Sequence, residues 1–470
     1  MGREVSPRGA LIDLTPLRHS QAYRRIWAGG ALSGLGHQVA VVAVLFQVWE
    51  MTRNPFSVAL IGVAQAVPMI VFGLVGGPVA DVLDRRRVAL AATTGQALAA
   101  TTLAAQLVVG LYPLPLLLGV LSLQTACSAL GSPARRTFIV RLLPRALVPA
   151  GIALHMISFQ AAMMVGPALG GLLLGVASPA ACYLVNAVAL ALSAWTVWAL
   201  PLLPPERGES SDRGTPPEQD TPPERGESSD HGSDAAPDRR PVPRTETGGR
   251  AYPGARGARL RRRVRTALVL LAEGVAQVRR DPVLRGSFLL DLAATLLAFP
   301  VALFPMVNQA LFGGDPRTLG LFLTCIAIGG VSAGLMSGLV TRRRRLGVVQ
   351  LLAVGVWGLA LLGFGLAALT GLAWAALGSL VVAGAADTVS VTSRAAMVQL
   401  ATPDSHLGRV SSVEHVIGVA GPDIGNARAG LVAGLTTPAW SALLGALTCL
   451  GAATWVALTH REVAAFRVDD

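Results

Sequence analysis

Ser57 to Arg87 reads SVALIGVAQAVPMIVFGLVGGPVADVLDRRR, an uncharged apolar run closed by two acids and three consecutive arginines. At ~1.5 Å of rise per residue, Ser57–Val79 is long enough to cross a hydrocarbon core ~30 Å thick. Inside lipid the backbone must satisfy its own polar groups, so an apolar run of this length folds as a helix. The arginines at its end stay in water, on the side of the membrane where basic loops collect.

Working outward, runs of this kind fill nearly the whole chain. Of 470 residues, 52% are apolar and 14% charged, against ~25% charged in a soluble domain. The ten-residue alternation of an outer-membrane barrel is missing. Spans one to six fall at Ile26–Trp49, Ser57–Val79, Val88–Leu111, Leu114–Gly131, Ala150–Val176 and Ala180–Leu200. Spans seven to twelve fall at Gly286–Phe312, Leu319–Val340, Leu346–Leu369, Leu372–Ser393, Ser412–Leu435 and Ala439–Leu458. The sequence thus predicts an all-α membrane protein of twelve transmembrane helices. Pro68, Pro167, Pro300, Pro305 and Pro422 lie inside spans and are expected to bend them.

Arginine supplies all the basic charge, and its position gives the orientation. Alternate connections carry Arg85–Arg87, then Arg135, Arg136, Arg141 and Arg145, then Arg342–Arg345 and Arg409. The other set holds only Arg53 and Arg317. The rule that basic loops stay inside puts both termini in the cytoplasm of a bacterial cell, with the protein multi-pass in the inner membrane. The net charge of +12 would point to nucleic acid in a soluble chain. Here it marks loops, and no nucleic-acid partner is expected. Cys127, Cys182, Cys325 and Cys449 all sit in apolar runs without metal-ligand spacing, and read as packing residues.

Between spans six and seven, residues 201–260 turn rich in Pro, Glu, Arg, Ser and Gly, and PPERGESSD occurs twice, at Pro204–Asp212 and Pro222–Asp230. Such composition predicts a disordered cytoplasmic linker. In Arg261–Pro282, Val264, Leu268, Leu271, Val275 and Val278 share one helical face with arginines at both ends, as in a helix lying on an anionic membrane surface. The chain divides into an N-terminal segment 1–25, a six-helix half 26–200, the linker 201–260, the interfacial helix 261–282, a second half 283–459 and a tail 460–470. A repeat relates the halves. Arg135 with Pro144 matches Arg394 with Pro403, and Gly166-Pro167 with Gly170 matches Gly421-Pro422 with Gly425. Secondary transporters are commonly built from six-helix repeats, with the substrate between them.

GGPVADVLDRRR, Gly76–Arg87, resembles the loop between helices two and three of the major facilitator superfamily. Gly77, Asp81, Arg85 and Arg86 match its pattern, while Val82 and Asp84 stand where it has Arg and Gly. The resemblance implies a conformational latch, with Gly77 allowing close helix packing and Asp81 pairing with neighbouring helices. Plain topogenic charge is the other reading. GPALGG in span five (Gly166, Pro167, Gly170, Gly171) resembles an element of drug–proton antiporters in that superfamily, and is also a small-residue packing motif. Taken with QAYRRIW, RLLPRALVPAG, RRDPVLRGSFLLDLAAT, GAADTVSVTSRAAMVQLATPD and GRVSSVEHVIGVAGPDIG, the order is similar to the enterobactin-exporter-like, drug and siderophore efflux branch. This resemblance implies the major facilitator fold of two six-helix repeats.

Polar groups inside spans are the candidate transport residues, because ionisable groups in hydrocarbon cost several kcal/mol unless paired or hydrated. His37, Gln38, Gln124, Asp291 and Asp387 form the candidate proton and substrate cavity. Asp291 and Asp387 lie at similar depth in spans seven and ten, which the resemblance places at the cavity. Proton coupling is one role for them; a structural pair of Asp387 with Arg394 is the other. Arg428 stands where the branch has an acid, and span four has no mid-membrane arginine.

The expected function is a proton-coupled secondary transporter exporting hydrophobic or amphipathic small molecules. An importer or facilitator, or a membrane sensor, is the alternative. No clustered nucleophile, phosphate loop or His/Cys set is present, so no enzyme, cofactor or metal is expected. Its partners are a small-molecule substrate, protons and the lipid bilayer, with the protein a monomer.

Overall fold

The structure, a computed structural model, describes residues 13–200, 253–336 and 344–467. The expected linker therefore lies outside the described residues up to 252. The side chains of Ala80, Asp81 and residues 253–260 do as well. Among the described residues every regular element is helical.

The first half consists of α1 (Gln21–Thr52), α2 (Pro55–Val82), α3 (Arg85–Val108), α4 (Leu114–Leu142), α5 (Val148–Val176) and α6 (Pro179–Trp198). The second consists of α7 (Pro282–Phe312), α8 (Pro316–Leu335), α9 (Leu346–Thr370), α10 (Ala373–Ala401), α11 (Asp404–Leu435) and α12 (Pro438–Thr459). All but α11 are long and apolar enough to cross a membrane. That helix is 32 residues long but carries Arg409, Glu414, Asp423 and Arg428. A further helix, Pro253–Arg280, precedes α7 and begins before the expected Arg261.

Proline opens many of these helices, at Pro55, Pro179, Pro282, Pro316 and Pro438 among others, where its missing N–H costs nothing. Side chains cap several starts: Ser20 Oγ accepts from Tyr23 N at 3.1 Å and Asp84 Oδ1 from Arg87 N at 3.0 Å. Asp84 thus has its own role at the position where it departs from the superfamily pattern. Helices α4 and α10 run on past the expected Gly131 and Ser393, and α11 starts before Ser412. These extensions are partly apolar. Ala134 and Phe138 of α4, for instance, are buried with Val88, Ala89 and Val197.

Pro68, Pro167 and Pro422 lie within continuous helices, and only Pro300 breaks one. Around it α7 passes from α-helix to a π turn at Ala293–Leu297, a 3-10 turn at Val301–Leu303 and a final helix from Phe304. Pro300 cannot donate to the ladder, and its ring crowds the carbonyl four residues back.

The two halves share one packing scheme. In the first, α1 packs on α5 and α6, α2 on α4, and α3 on α4 and α6; in the second, α7 packs on α11 and α12, α8 on α10, and α9 on α10 and α12. The halves meet through α2 with α11 and α5 with α8. Both contacts rely on glycine. A side chain at Gly62 would strike the Asp423 carbonyl, and one at Gly171 would come within 2.8 Å of Pro316 O. A side chain at Gly434 would likewise strike Phe56, and one at Gly175 would strike Arg317, so these contacts run to the opening turns of α2 and α8 and the closing turns of α5 and α11. The halves are therefore sealed at the face away from both termini, where Arg53 Nη1 also donates to Gln309 Oε1 at 2.6 Å.

Candidate functional site

Beside that seal lies a cavity, about 580 Å³ of empty space counting what is open to solvent, lined by α1, α2, α3, α4, the broken part of α7, and α11. Most of its wall is apolar, with four polar side chains: His37, Gln65, Gln124 and Asn426. An apolar pocket with a few fixed polar groups suits a small organic molecule. The α7 break shapes one wall. Pro300 frees the N–H of Ala302 from the helical ladder, and Asn426 Oδ1 accepts from it at 2.9 Å. A backbone break at membrane depth is tolerated where it lines a cavity in this way.

The structure brings only part of the expected set to this cavity. His37 and Gln124 line it. Gln38, one residue round α1, instead donates to Met163 Sδ and packs over Gly166 of α5. Gln65 and Asn426 were not singled out from sequence. Their signal was the same as that of Gln124, an amide inside an apolar run. Asp387 does not line the cavity and has no ion pair or hydrogen bond among the described residues.

Arg394 forms its ion pairs elsewhere, which corrects the expected pair with Asp387. Its Nη1 contacts Asp291 Oδ1, and its Nε lies 3.4 Å from Glu414 Oε1. Seven residues along one helix separate Asp387 from Arg394 by ~10 Å of rise, beyond a direct ion pair, whereas α7 and α11 present carboxylates sideways to α10. The side chains of Asp291 and Arg394 are 6% and 5% exposed, and Glu414 is 22% exposed. Glu414 was missed because the expected start of span eleven, Ser412, placed it at the membrane edge. Asp423 and Arg428, on the same helix, form no ion pair with each other or with any other described residue.

The residues of the superfamily-like motifs have separate fates. Gly76 makes a tight contact, since a side chain there would lie 2.9 Å from Ala129 O on α4, while no described residue comes within 4 Å of one at Gly77. One residue turns the helix by ~100°, so Gly77 faces away from α4. Arg86 donates to Trp198 O. The Nε atoms of Arg85 and Arg86 are buried without partners. The Asp81 side chain lies outside the description. In α5, Gly166 and Gly170 pack on α1, while Gly171 and the Pro167 carbonyl pack on α8 across the halves.

Two six-helix halves around a cavity sealed at one face are the architecture of a membrane transporter. Residues 26–425 match the Major Facilitator Superfamily, and the chain belongs to that family. It is 25% identical over 447 residues to the enterobactin exporter EntS of Shigella boydii serotype 18 (strain CDC 3083-94 / BS512), spanning 92% of this chain and 90% of that one. It is 30% identical over 185 residues to the uncharacterized MFS-type transporter YfiS of Bacillus subtilis (strain 168), a match over 39% of this chain and 43% of that one. Among solved structures, a POT family transporter in complex with 5-aminolevulinic acid superposes with a TM-score of 0.66 at 12% identity, covering 94% of this chain and 97% of that one. The nucleoside transporter NupG superposes with a TM-score of 0.65 at 12% identity, covering 93% and 98%.

Proposed function

We propose that this protein is a proton-driven exporter of a hydrophobic or amphipathic small molecule, drug-like or siderophore-like, in the bacterial inner membrane with both termini cytoplasmic. The observation that carries the reading is the cavity itself. It is largely apolar, has imidazole and amide groups at four points, and is sealed at the face opposite the termini. With the termini in the cytoplasm, such a state loads from the cell interior. Resemblance to an enterobactin exporter over nearly the full chain supports the outward direction, and the basic loops support the orientation. His37, Gln65, Gln124 and Asn426 then hold the polar groups of the substrate, and rocking of the halves opens the sealed face.

Everted membrane vesicles with an acidic interior test the proposal. Ethidium or a catecholate siderophore should accumulate inside and be released by a protonophore. Accumulation indifferent to the pH gradient, or movement only in the opposite direction, sinks it.

A further inference from the structure

We infer that Asp291 and Glu414, sharing the single guanidinium of Arg394, form the site that binds the coupling proton. The inference rests on the reading of the chain as proton-driven and names the groups responsible. Three helices, α7, α10 and α11, each bring one member. Two carboxylates against one cation leave one negative charge uncompensated, and a charge in a hydrocarbon setting is costly unless neutralised. Among the described residues neither carboxylate has a second cationic partner. One proton balances the cluster.

The atoms available suit that role. Asp291 Oδ2 is buried with no hydrogen-bond partner, while Glu414 is the exposed member at 22%. A proton reaches Glu414 from water and Asp291 lies behind it across Arg394. With both acids ionised, Arg394 ties α7, α10 and α11 together. A proton on Asp291 leaves Arg394 to Glu414 and frees α7, the helix whose break lines the cavity.

The other charged groups on neighbouring elements form no ion pair with the cluster among the described residues, although Arg136 of α4 acts electrostatically on His415 beside Glu414. On α11, Arg409 pairs with Glu273 of the helix before α7 at 3.2 Å, and His415 is exposed beside Glu414. On α7, Arg285 Nε donates to His460 Nε2, beyond the end of α12, at 3.1 Å. Arg279 and Arg280 are exposed, and Asp281 caps the start of α7. On α9 the group facing α7 is the neutral Gln350, bonded to Ser287. Asp387 lies two turns along α10.

Infrared pH titration of the reconstituted protein tests the site without any substrate. The wild type should show a protonated-carboxyl band that is lost in Asp291→Asn and in Glu414→Gln. The more exposed Glu414→Gln variant keeps the test open should Asp291→Asn fail to fold. In vesicles, the ratio of gradient-driven ethidium accumulation to ethidium counterflow should collapse in both variants, whereas a merely structural role lowers both rates together. A band that persists in both variants, or is lost in Asp387→Asn alone, overturns the assignment. Because the titration needs no transport, the proton site is decided separately from the exporter reading.

Discussion

At the scale of single residues, two polar contacts that cross between helices give the sharpest tests. Arg394→Ala leaves Asp291 charged and unpaired in a buried site, and breaking a buried pair in this way costs about 3–5 kcal/mol. The purified variant should show a lower melting temperature by fluorescence, largely recovered when Asp291→Asn is added, because the uncompensated charge is then gone. The link between α7 and α11 depends on one amide. Asn426→Leu leaves the Ala302 N–H unbonded beside the Pro300 break, a loss of about 1–3 kcal/mol. It also removes one of four polar groups from the cavity. Weaker binding of a transported dye, with the fold retained by size-exclusion chromatography, is the expected result.

At the scale of elements, the helix Pro253–Arg280 has the least sequence-bound position. It packs on α11 and α2, one helix from each half. Its Val278 is buried with Val410 and Val413 of α11, Phe288 of α7 and Val398 of α10, and Leu271 packs against that cluster. Gly274 sits directly on the α11 backbone, where a side chain would lie 2.5 Å from Arg409 O. Gly274→Val should therefore lift this helix, raising hydrogen–deuterium exchange across residues 271–278. Arg409→Ala removes only a half-exposed pair with Glu273, 34% and 46% exposed, and such pairs contribute about 0–1 kcal/mol. Its effect on exchange should be far smaller, and equal effects would show that charge, not packing, holds the helix. Leu268, Val269 and Leu270 remain exposed on this helix, which suits contact with lipid.

At the scale of the molecule, two similar bundles touch through glycine-lined faces at one end. Transport by rocking requires the sealed end to open. Cysteines placed at Arg53 and Gln309, in a background without the four native cysteines, lie where the two halves already bond. Joining them with a short thiol cross-linker should stop transport, and a cleavable linker should restore it on reduction. Unchanged transport after complete cross-linking would show that this face does not open.

The membrane helices, their number and the twofold repeat were legible in the chain because each depends on local properties. Apolar length, terminal proline and the matched Arg135/Arg394 and Gly166/Gly421 positions need no knowledge of neighbours. Polar residues such as His37, Gln124 and Asp291 stood out for the same reason. Their partners did not. Along the sequence Asp387 is the acid nearest Arg394 within the same helix, but an ion pair is set by distances across helices, and there Asp291 and Glu414 are closer. Gln38 likewise sits one residue of helical rotation away from the cavity wall that His37 lines. The sequence by itself determined what crosses the membrane. Tertiary structure alone decided which side chains meet, because helix rotation and packing are fixed by contacts between segments far apart in the chain.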